Sequence, residues 1–172
     1  MIVIPGYRWL KDHAVATCLG LMAILVVSLS SAPSVSADAV AGIATVIDGD
    51  TIEIHGGRIR LHAIDAIEAR QSCVLPDGAE WRCGRDVAFA LADRILRLPV
   101  WCEIRNTDRY GRLVGVCYQS GEDLNAWMVE NGWAVAYQRY GLDYVDEEKS
   151  ARFNQRGIWK SRFMMPWDWR RK

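Results

Sequence analysis

Five charged side chains between residues 50 and 112 are of the types that could together cleave a phosphodiester bond with the help of a metal ion. Asp50 and Asp65 offer hard carboxylate oxygens, which Ca²⁺ and Mg²⁺ prefer, and two carboxylates leave coordination positions open for water and phosphate. Glu68 lies near enough to Asp65 to act as a general base on a water molecule. Arg60 and Arg112 could hold one phosphate from two sides and stabilise the charge of the transition state. The spacing therefore predicts a metal-dependent hydrolytic site.

Strands and turns must bring these side chains together, and the sequence predicts five strands in two groups. Runs of β-branched residues form the strands, and Gly56-Gly57 supplies the positive φ of a tight hairpin between the second and the third. A turn around Asp108 to Tyr110 joins the last two strands. The predicted strands span residues 43–47, 51–55, 58–63, 100–105 and 113–119.

Three helices are predicted between and after these strands. The first has apolar residues at helical spacing and ends before a proline, which cannot continue a helix. Each of the other two begins at an aspartate that can accept from free amides and ends at a glycine that can take the left-handed turn. The residues are Val87, Leu91, Ile95, Leu98 and Pro99 in the first helix, Asp123 and Gly132 in the second, and Asp143 and Gly157 in the third.

The order of these elements predicts an α+β fold that is mainly β, a five-stranded Greek-key barrel of the OB-fold type with about three helices. Three consecutive strands, a helix and two more strands fit that barrel. Closure of the barrel would also remove the exposed edges of five short strands. A ferredoxin-like sandwich fits less well, because it requires a helix directly after its first strand.

One local irregularity is required for the charged side chains to form a single site. Antiparallel pairing of the second and third strands brings Asp50 and Asp65 to the same end of the hairpin. Arg60 and Asp65 would nevertheless point to opposite faces of a regular strand, so the sequence predicts a bend or bulge after Leu61. Asp48-Gly49-Asp50 taken alone is typical of an ordinary turn, and only its surroundings favour a ligand site.

The first 37 residues have the features of a signal peptide. Arg8 and Lys11 form a positive start, residues 14–29 are almost all apolar, and Val35-Ser36-Ala37 offers small residues at the cleavage site. The apolar run is shorter than the roughly 20 residues of a membrane-spanning helix, so an uncleaved anchor is the alternative interpretation. We therefore expect one secreted or periplasmic domain over residues 38–172, attached to a membrane only if the leader is retained.

The charges of residues 38–172 almost balance, with 19 basic and 20 acidic side chains once Arg8, Lys11 and Asp12 are set aside. This balance weighs against a general nucleic-acid coat protein, which would be basic overall. Sixteen of the basic residues are arginine, which suits bidentate phosphate contacts, although compositional drift would produce the same bias.

Four cysteines remain after the leader, an even number that suits two disulfides in an oxidising compartment. Cys102 and Cys117 lie equidistant from the second hairpin turn and would face each other across the ladder, which leaves Cys73 to pair with Cys83. A structural zinc site is the competing interpretation, but the sequence has no Cys-x2-Cys pair and no histidine at ligand spacing to a cysteine.

Three segments of the chain resemble, in order and in spacing, the motif blocks of the staphylococcal nuclease (thermonuclease) family. The resemblance extends over residues 41–159 and implies the same OB barrel. It also implies calcium-dependent hydrolysis of DNA and RNA, in which water attacks phosphorus and the 5′ oxygen leaves, giving 3′-phosphorylated products. We expect Ca²⁺ rather than Mg²⁺ and a monomer with no obligate protein partner. The segments are IDGDTIEI, RIRLHAIDAIE and DRYGRLVGV.

The resemblance implies a role for each matching position. Ala66 stands where the family usually has threonine, but the ligand there is a main-chain carbonyl, which alanine also has. Ile67 stands where the family typically has proline, and since proline restricts the chain, Glu68 is expected to be less preorganised and the reaction slower. The implied roles are metal binding for Asp50, Asp65 and Ala66, catalysis for Arg60, Glu68 and Arg112, and substrate binding for Arg109, Tyr110 and Tyr137.

Two other functions stay open at this point. Barrels of this kind also occur as non-catalytic modules that bind nucleic acid or protein, but such a module has no need for all five charged residues. A small cell-envelope barrel with a purely structural metal would be stabilised by calcium and would cleave nothing. The aromatic and basic tail, residues 164–172, could either pack across the barrel or contact nucleic acid.

Overall fold

The computed structural model describes residues 38–172, so the expected leader lies outside the described part of the chain. Within that part, no helix has both the length and the apolar character needed to cross a bilayer. The strands are β1 (Ala39–Ile43), β2 (Thr45–Asp48), β3 (Thr51–Ile54), β4 (Gly57–Leu61), β5 (Ile64–Ala66), β6 (Cys73–Val74), β7 (Glu80–Trp81), β8 (Pro99–Thr107), β9 (Leu113–Gln119), β10 (Glu122–Asp123) and β11 (Ala134–Ala136).

A curled mixed sheet in the order β1-β8-β9-β4-β3-β2 forms the body of the fold, and β10 extends β9. Neighbouring strands are antiparallel except β4 and β9, which run parallel. The two outermost strands of this path follow each other directly in sequence, because only Ala44 separates β1 from β2. The predicted mainly-β architecture of the OB type is confirmed, in the form of a curled half-barrel.

The first predicted strand, residues 43–47, crosses the corner at Ala44 and is therefore wrong in its bounds. The structure divides this region into β1 and β2, which lie at opposite ends of the sheet order. The segment AVAGI of β1 has weak intrinsic strand preference, and its five residues are held by antiparallel pairing with β8. The hairpin turn between β3 and β4 also differs, since the positive φ angles belong to His55 and Gly56 and not to Gly57.

The helices stand close to their predicted places but not at every predicted boundary. The first ends at Ile95 because Leu96 takes a positive φ, so the prediction that Leu98 belongs to it is wrong. Asp123 caps the second helix as predicted, accepting from the amides of two residues in its first turn. The prediction for Asp143 is wrong, because the third helix follows Tyr144 without a side-chain cap. The helices are α1 (Cys83–Ile95), α2 (Leu124–Glu130), α3 (Val145–Phe153), a 3₁₀ turn (Gly157–Lys160) and α4 (Pro166–Trp169).

The hydrophobic core lies between the concave face of the sheet and the helices. One side of β3 and β4 faces inward, and α1 presents its apolar stripe to the same space. Burial of each such aliphatic side chain stabilises the fold by about 1.5–3 kcal/mol, so this layer fixes the strands that carry the charged residues. Its fully buried members include Ile52, Ile54, Ile59, Leu61, Val87, Leu91 and Ile95.

Two disulfides join the cysteines in the predicted pairing. Cys102 and Cys117 are register partners on β8 and β9, with their Cα atoms 4.0 Å apart. Cys73 and Cys83 join β6 to the start of α1, with a Cα separation of 5.7 Å. The second bond closes the loop that follows Glu68, and it therefore limits the movement of that loop.

Residues 161–172, here called the C-terminal arm, fold back across the molecule. Arg162 exchanges two backbone hydrogen bonds with Val74, at 2.8 and 2.9 Å. The buried side chain of Gln71 donates to the carbonyl of Met164, which ties the arm to the loop after Glu68. The arm then forms α4 and continues toward the charged residues of β3 to β5.

Candidate active site

A sharp turn between β4 and β5 places Arg60 and Asp65 side by side. Ala63 adopts a φ of 54°, and this left-handed residue redirects the chain after Leu61. Arg60 then donates from Nη2 to the carbonyl of Ile64 and to Oδ1 of Asp65, both at 3.2 Å. The bend that the sequence required is present.

Asp50, at the turn between β2 and β3, completes a three-residue cluster. Its Oδ2 accepts from Arg60 Nη1 at 2.9 Å and from the backbone amide of Ala66 at 3.2 Å. The side chain of Asp65 is fully buried, that of Asp50 is 8% exposed and that of Arg60 is 14% exposed. Arg60 thus bridges two carboxylates that are almost shielded from solvent.

Burial and charge act against each other at this cluster. Burial raises the pKa of Asp50 above its ordinary value, and the Arg60 cation only partly opposes that rise, while the negative charge of Asp48 adds to it. Burial would lower the pKa of Arg60, but the charges of Asp50 and Asp65 outweigh it and raise that pKa. The buried carboxylates and Arg60 are therefore electrostatically linked, and Arg60 stays positively charged.

Glu68 lies on the loop that leaves β5, next to the cluster. The loop is anchored by Ile67, which is only 2% exposed and packs in the core, and by an amide of Gln71 that donates to the Glu68 carbonyl at 2.8 Å. Gly84 lies so close to that carbonyl that a Cβ at this position would overlap it. Packing therefore supplies part of the rigidity that proline would give, and the expected effect of Ile67 on rate stays a prediction.

Arg170, on the C-terminal arm, enters the same cluster, although sequence reasoning did not include it. Its Nη1 donates to Asp65 Oδ1 at 3.0 Å and to Glu68 Oε1 at 2.6 Å, and its Nη2 donates to Asp65 Oδ2 at 2.6 Å. The hydrogen bonds to Asp65 and Glu68 raise the pKa of Arg170 despite its partial burial. The only signal in the sequence is the basic end of the tail, which does not single out this arginine.

The turn between β8 and β9 holds the remaining arginines of the prediction. Asp108 accepts from Arg112 Nε at 2.8 Å and from the Arg112 and Tyr110 amides at 3.0 and 2.8 Å. Arg109 donates to the Tyr110 hydroxyl at 2.6 Å and lies over its ring, which is exposed. Within residues 38–172, Arg112 makes no hydrogen bond to Asp50, Asp65 or Glu68, so the structure brings it to the site only as a neighbour across the cleft.

One cleft of about 1000 Å³ joins the two groups of residues. Tyr137 lies in its wall and stacks on Trp167 of the C-terminal arm, with ring centroids 5.4 Å apart and planes 23° from parallel. The cleft thus combines a carboxylate cluster, arginine side chains and flat aromatic surfaces. Other lining residues of the same kinds are Arg109, Tyr110, Arg112, Arg139, Tyr140 and Arg171.

The carboxylates suit a hard cation better than a zinc-type site. Among the described residues, no group of three or more histidine, cysteine or acidic side chains is arranged to hold a metal ion. Asp50 and Asp65 nevertheless offer two buried carboxylates on one guanidinium, and Glu68 is linked to Asp65 through Arg170. A cation bound there would have oxygen ligands only, as Ca²⁺ and Mg²⁺ prefer, and would complete its shell with water or phosphate.

Residues 58–161 match the family described as staphylococcal nuclease homologue. The chain belongs to this family. It is 42% identical to the succinoglycan biosynthesis protein ExoI of Rhizobium meliloti (strain 1021), over 81% of this chain and 74% of that protein. It is 33% identical to a micrococcal nuclease of Shigella flexneri, over 89% and 92% of the two chains.

An uncharacterized endonuclease of Escherichia coli O157:H7 is a third relative, 34% identical over 86% of this chain and 95% of its own. Family membership and the two relatives named as nucleases support an endonuclease that acts on nucleic acid. The ExoI protein is named for succinoglycan biosynthesis and not for nuclease activity.

Proposed function

We propose that this protein is an exported, calcium-dependent nuclease that hydrolyses DNA and RNA to 3′-phosphorylated products. The observation that carries the proposal is the buried pair Asp50 and Asp65, bridged by Arg60 and adjoining Glu68 in an arginine-lined cleft. Holding two carboxylates out of solvent is costly unless cations compensate them, so such a pair indicates a site for positive charge.

Asp50 and Asp65, with the Ala66 carbonyl, would hold the calcium ion. Bound there, calcium would supply positive charge that polarises the phosphodiester and orients water. Magnesium suits the site less, because it requires a near-ideal octahedron and gives up its water reluctantly.

Arg60 retains donors for a phosphate while it bridges the carboxylates. A guanidinium has five N–H groups, and Arg60 uses three of them on Asp50, Ile64 and Asp65. The others can face a phosphate oxygen from a position that the surrounding hydrogen bonds already fix. Arg112, held by Asp108, would add a second cation from the other hairpin, and together they would stabilise the charge that develops at phosphorus.

Glu68 is the group suited to accept the proton of the attacking water. Its side chain is 35% exposed, and among residues 38–172 only Oε1 has a hydrogen-bond partner, so Oε2 is available to accept a proton. A carboxylate near a polarised phosphodiester can take up this proton as phosphorus is attacked.

The aromatic side chains of the cleft fit a substrate with unpaired bases. Tyr137 and Trp167 form a flat stacked pair, and Tyr110 is 68% exposed beside Arg109 and Arg112. Stacking of a base on such a ring is worth about 1–3 kcal/mol and does not depend on base identity. Single-stranded DNA and RNA are therefore the expected preferred substrates. We also expect the chain to act as a monomer.

Export of the protein is supported by the composition of the leader and by the cysteine pairs of the domain that follows it. The leader, residues 1–37, has the composition of a signal peptide. The two cysteine pairs suit a protein that folds in an oxidising compartment, outside the cytosol.

The proposal is tested by incubating the oxidised protein with plasmid, single-stranded DNA and RNA, each with calcium, magnesium or a chelator. We expect cleavage in calcium, little in magnesium and none in chelator, with products that a 3′-phosphatase converts to substrates for polymerase extension. Binding of nucleic acid without cleavage in every metal would contradict the proposal and favour a non-catalytic binding module. A rise in melting temperature with calcium but no turnover would instead indicate a structural metal.

A further inference from the structure

The C-terminal arm contributes a residue to the site from outside the matched family region. The match ends at residue 161, whereas Arg170 lies nine residues beyond it and contacts both Asp65 and Glu68. These contacts are made by one guanidinium with three hydrogen bonds, two of them to the same carboxylate. The bidentate pairing is the strongest form of arginine-carboxylate contact.

Arg170 occupies the positions that a metal ion would need. Asp65 Oδ1 accepts from both Arg60 and Arg170, and Oδ2 accepts from Arg170. The Asp65 side chain is fully buried, so a cation that approaches it from the cleft meets the Arg170 guanidinium first. A divalent cation bound to the same oxygens as Arg170 would be repelled strongly by the guanidinium charge, so the two compete for Asp65.

The formal charges of the cluster also indicate that Arg170 and a divalent cation would replace each other. Asp50, Asp65 and Glu68 carry three negative charges, and Arg60 and Arg170 carry two positive charges, so the net charge is −1. Without Arg170 the net charge would be −2, which one divalent cation neutralises.

We propose that Arg170 is a resident counter-ion of the site, which competes with the divalent cation for Asp65 and thereby sets the cation concentration at which the site fills. The inference rests on the proposed function, because it takes Asp65 as a metal ligand. Arg170 holds the two carboxylates in place until a cation displaces it, and it is a positioning residue in that sense.

The arm can release Arg170 without unfolding. The side chain is 41% exposed, and the contacts that fix the arm lie upstream of it, at Arg162, Met164 and Trp167. A change of side-chain rotamer is therefore sufficient to free Asp65. Arg162, an exposed arginine of the same arm, does not line the cleft and provides a matched control.

Calorimetric titration of the oxidised full-length protein with Ca²⁺, in the absence of nucleic acid, tests this inference. Arg170→Gln should lower the calcium dissociation constant by about tenfold or more, since a neighbouring arginine lowers the proton affinity of a carboxylate by about one to three decades and opposes a metal cation in the same way. Arg170→Lys should lie closer to wild type, because it keeps the charge but loses the bidentate fork. Arg162→Gln should bind calcium as wild type does.

A calcium affinity of Arg170→Gln that equals or falls below that of wild type would overturn the inference, as would the absence of calcium binding in both proteins. Melting in chelator checks that the variant folds, and we expect a larger rise on adding calcium than in wild type. If wild type cleaves nucleic acid but Arg170→Gln has unchanged calcium affinity, the inference about Arg170 is wrong and the nuclease proposal still holds. Tighter calcium binding without any cleavage would sustain the inference and contradict the nuclease proposal.

Discussion

Replacing Arg60 by alanine should destabilise the protein far more than removing a neighbouring arginine from the same strand. Arg60 makes three hydrogen bonds, and the two carboxylates that it bridges are almost inaccessible to water. Breaking a buried pair by deleting one partner costs about 3–5 kcal/mol, because the other charge is left uncompensated. Since Asp65 keeps its contacts to Arg170, we expect the lower end, about 3 kcal/mol.

Arg58 provides the matched control on β4. Its side chain is 61% exposed and lies 3.9 Å from Glu53, so Arg58→Ala should cost less than about 0.5 kcal/mol. Urea-induced unfolding, followed by tryptophan fluorescence in chelator at neutral pH with the disulfides intact, measures both variants. In thermal unfolding the Arg60 variant should lose on the order of 10 °C. If Arg60→Ala and Arg58→Ala differ by less than about 1 kcal/mol, the bridging role inferred for Arg60 is wrong.

Three further changes test the parts of the site that surround this cluster. Gly84→Ala should push the Glu68 carbonyl outward and lower kcat more than KM rises, and an unchanged kcat would show that the loop tolerates the added methyl. Asp108→Asn should free Arg112 and reduce kcat/KM. Burial raises the pKa of Asp108, but the hydrogen bonds that it accepts from Arg112 outweigh burial, so the pKa in the folded protein lies below the unfolded value of 3.8. The ionised side chain of Asp108 therefore stabilises the fold above pH 3.8, and this stabilisation is lost as the pH falls through the folded pKa. Unfolding of wild type and Asp108→Asn should therefore converge at low pH, and a constant difference would refute that assignment. Serine in place of the Cys73–Cys83 pair should cost about 3 kcal/mol and reduce turnover, and full activity would show that the disulfide does not order the loop.

The bend after Leu61 could be predicted from the sequence because it follows from a local contradiction. Arg60 and Asp65 are separated by an odd number of positions, and a regular strand cannot place both side chains on one face. The pairing of Cys102 with Cys117 follows in the same way from the symmetry of a hairpin about its turn. Both predictions use only residues that are near in the chain.

The features that escaped prediction depend on contacts between distant segments. The strand β1 exists because β8, some 60 residues later, pairs with it. Arg170 reaches Asp65 across 105 residues, and the composition of the tail does not distinguish Arg170 from Arg171. The helix boundaries are an exception, because local backbone geometry sets them, as at Leu96, whose positive φ ends α1 before the proline is reached.

Proton uptake by Glu68 during phosphodiester hydrolysis is the central claim, and a single comparison of rates tests it most directly. Glu68→Gln and Glu80→Gln remove one acidic charge each, from the site loop and from the exposed strand β7 respectively. At saturating calcium and single-stranded DNA, Glu68→Gln should cleave about 10²- to 10⁴-fold more slowly than wild type. Glu80→Gln should cleave at the wild-type rate. Equal single-turnover rates for wild type and Glu68→Gln would contradict the mechanism proposed for this site.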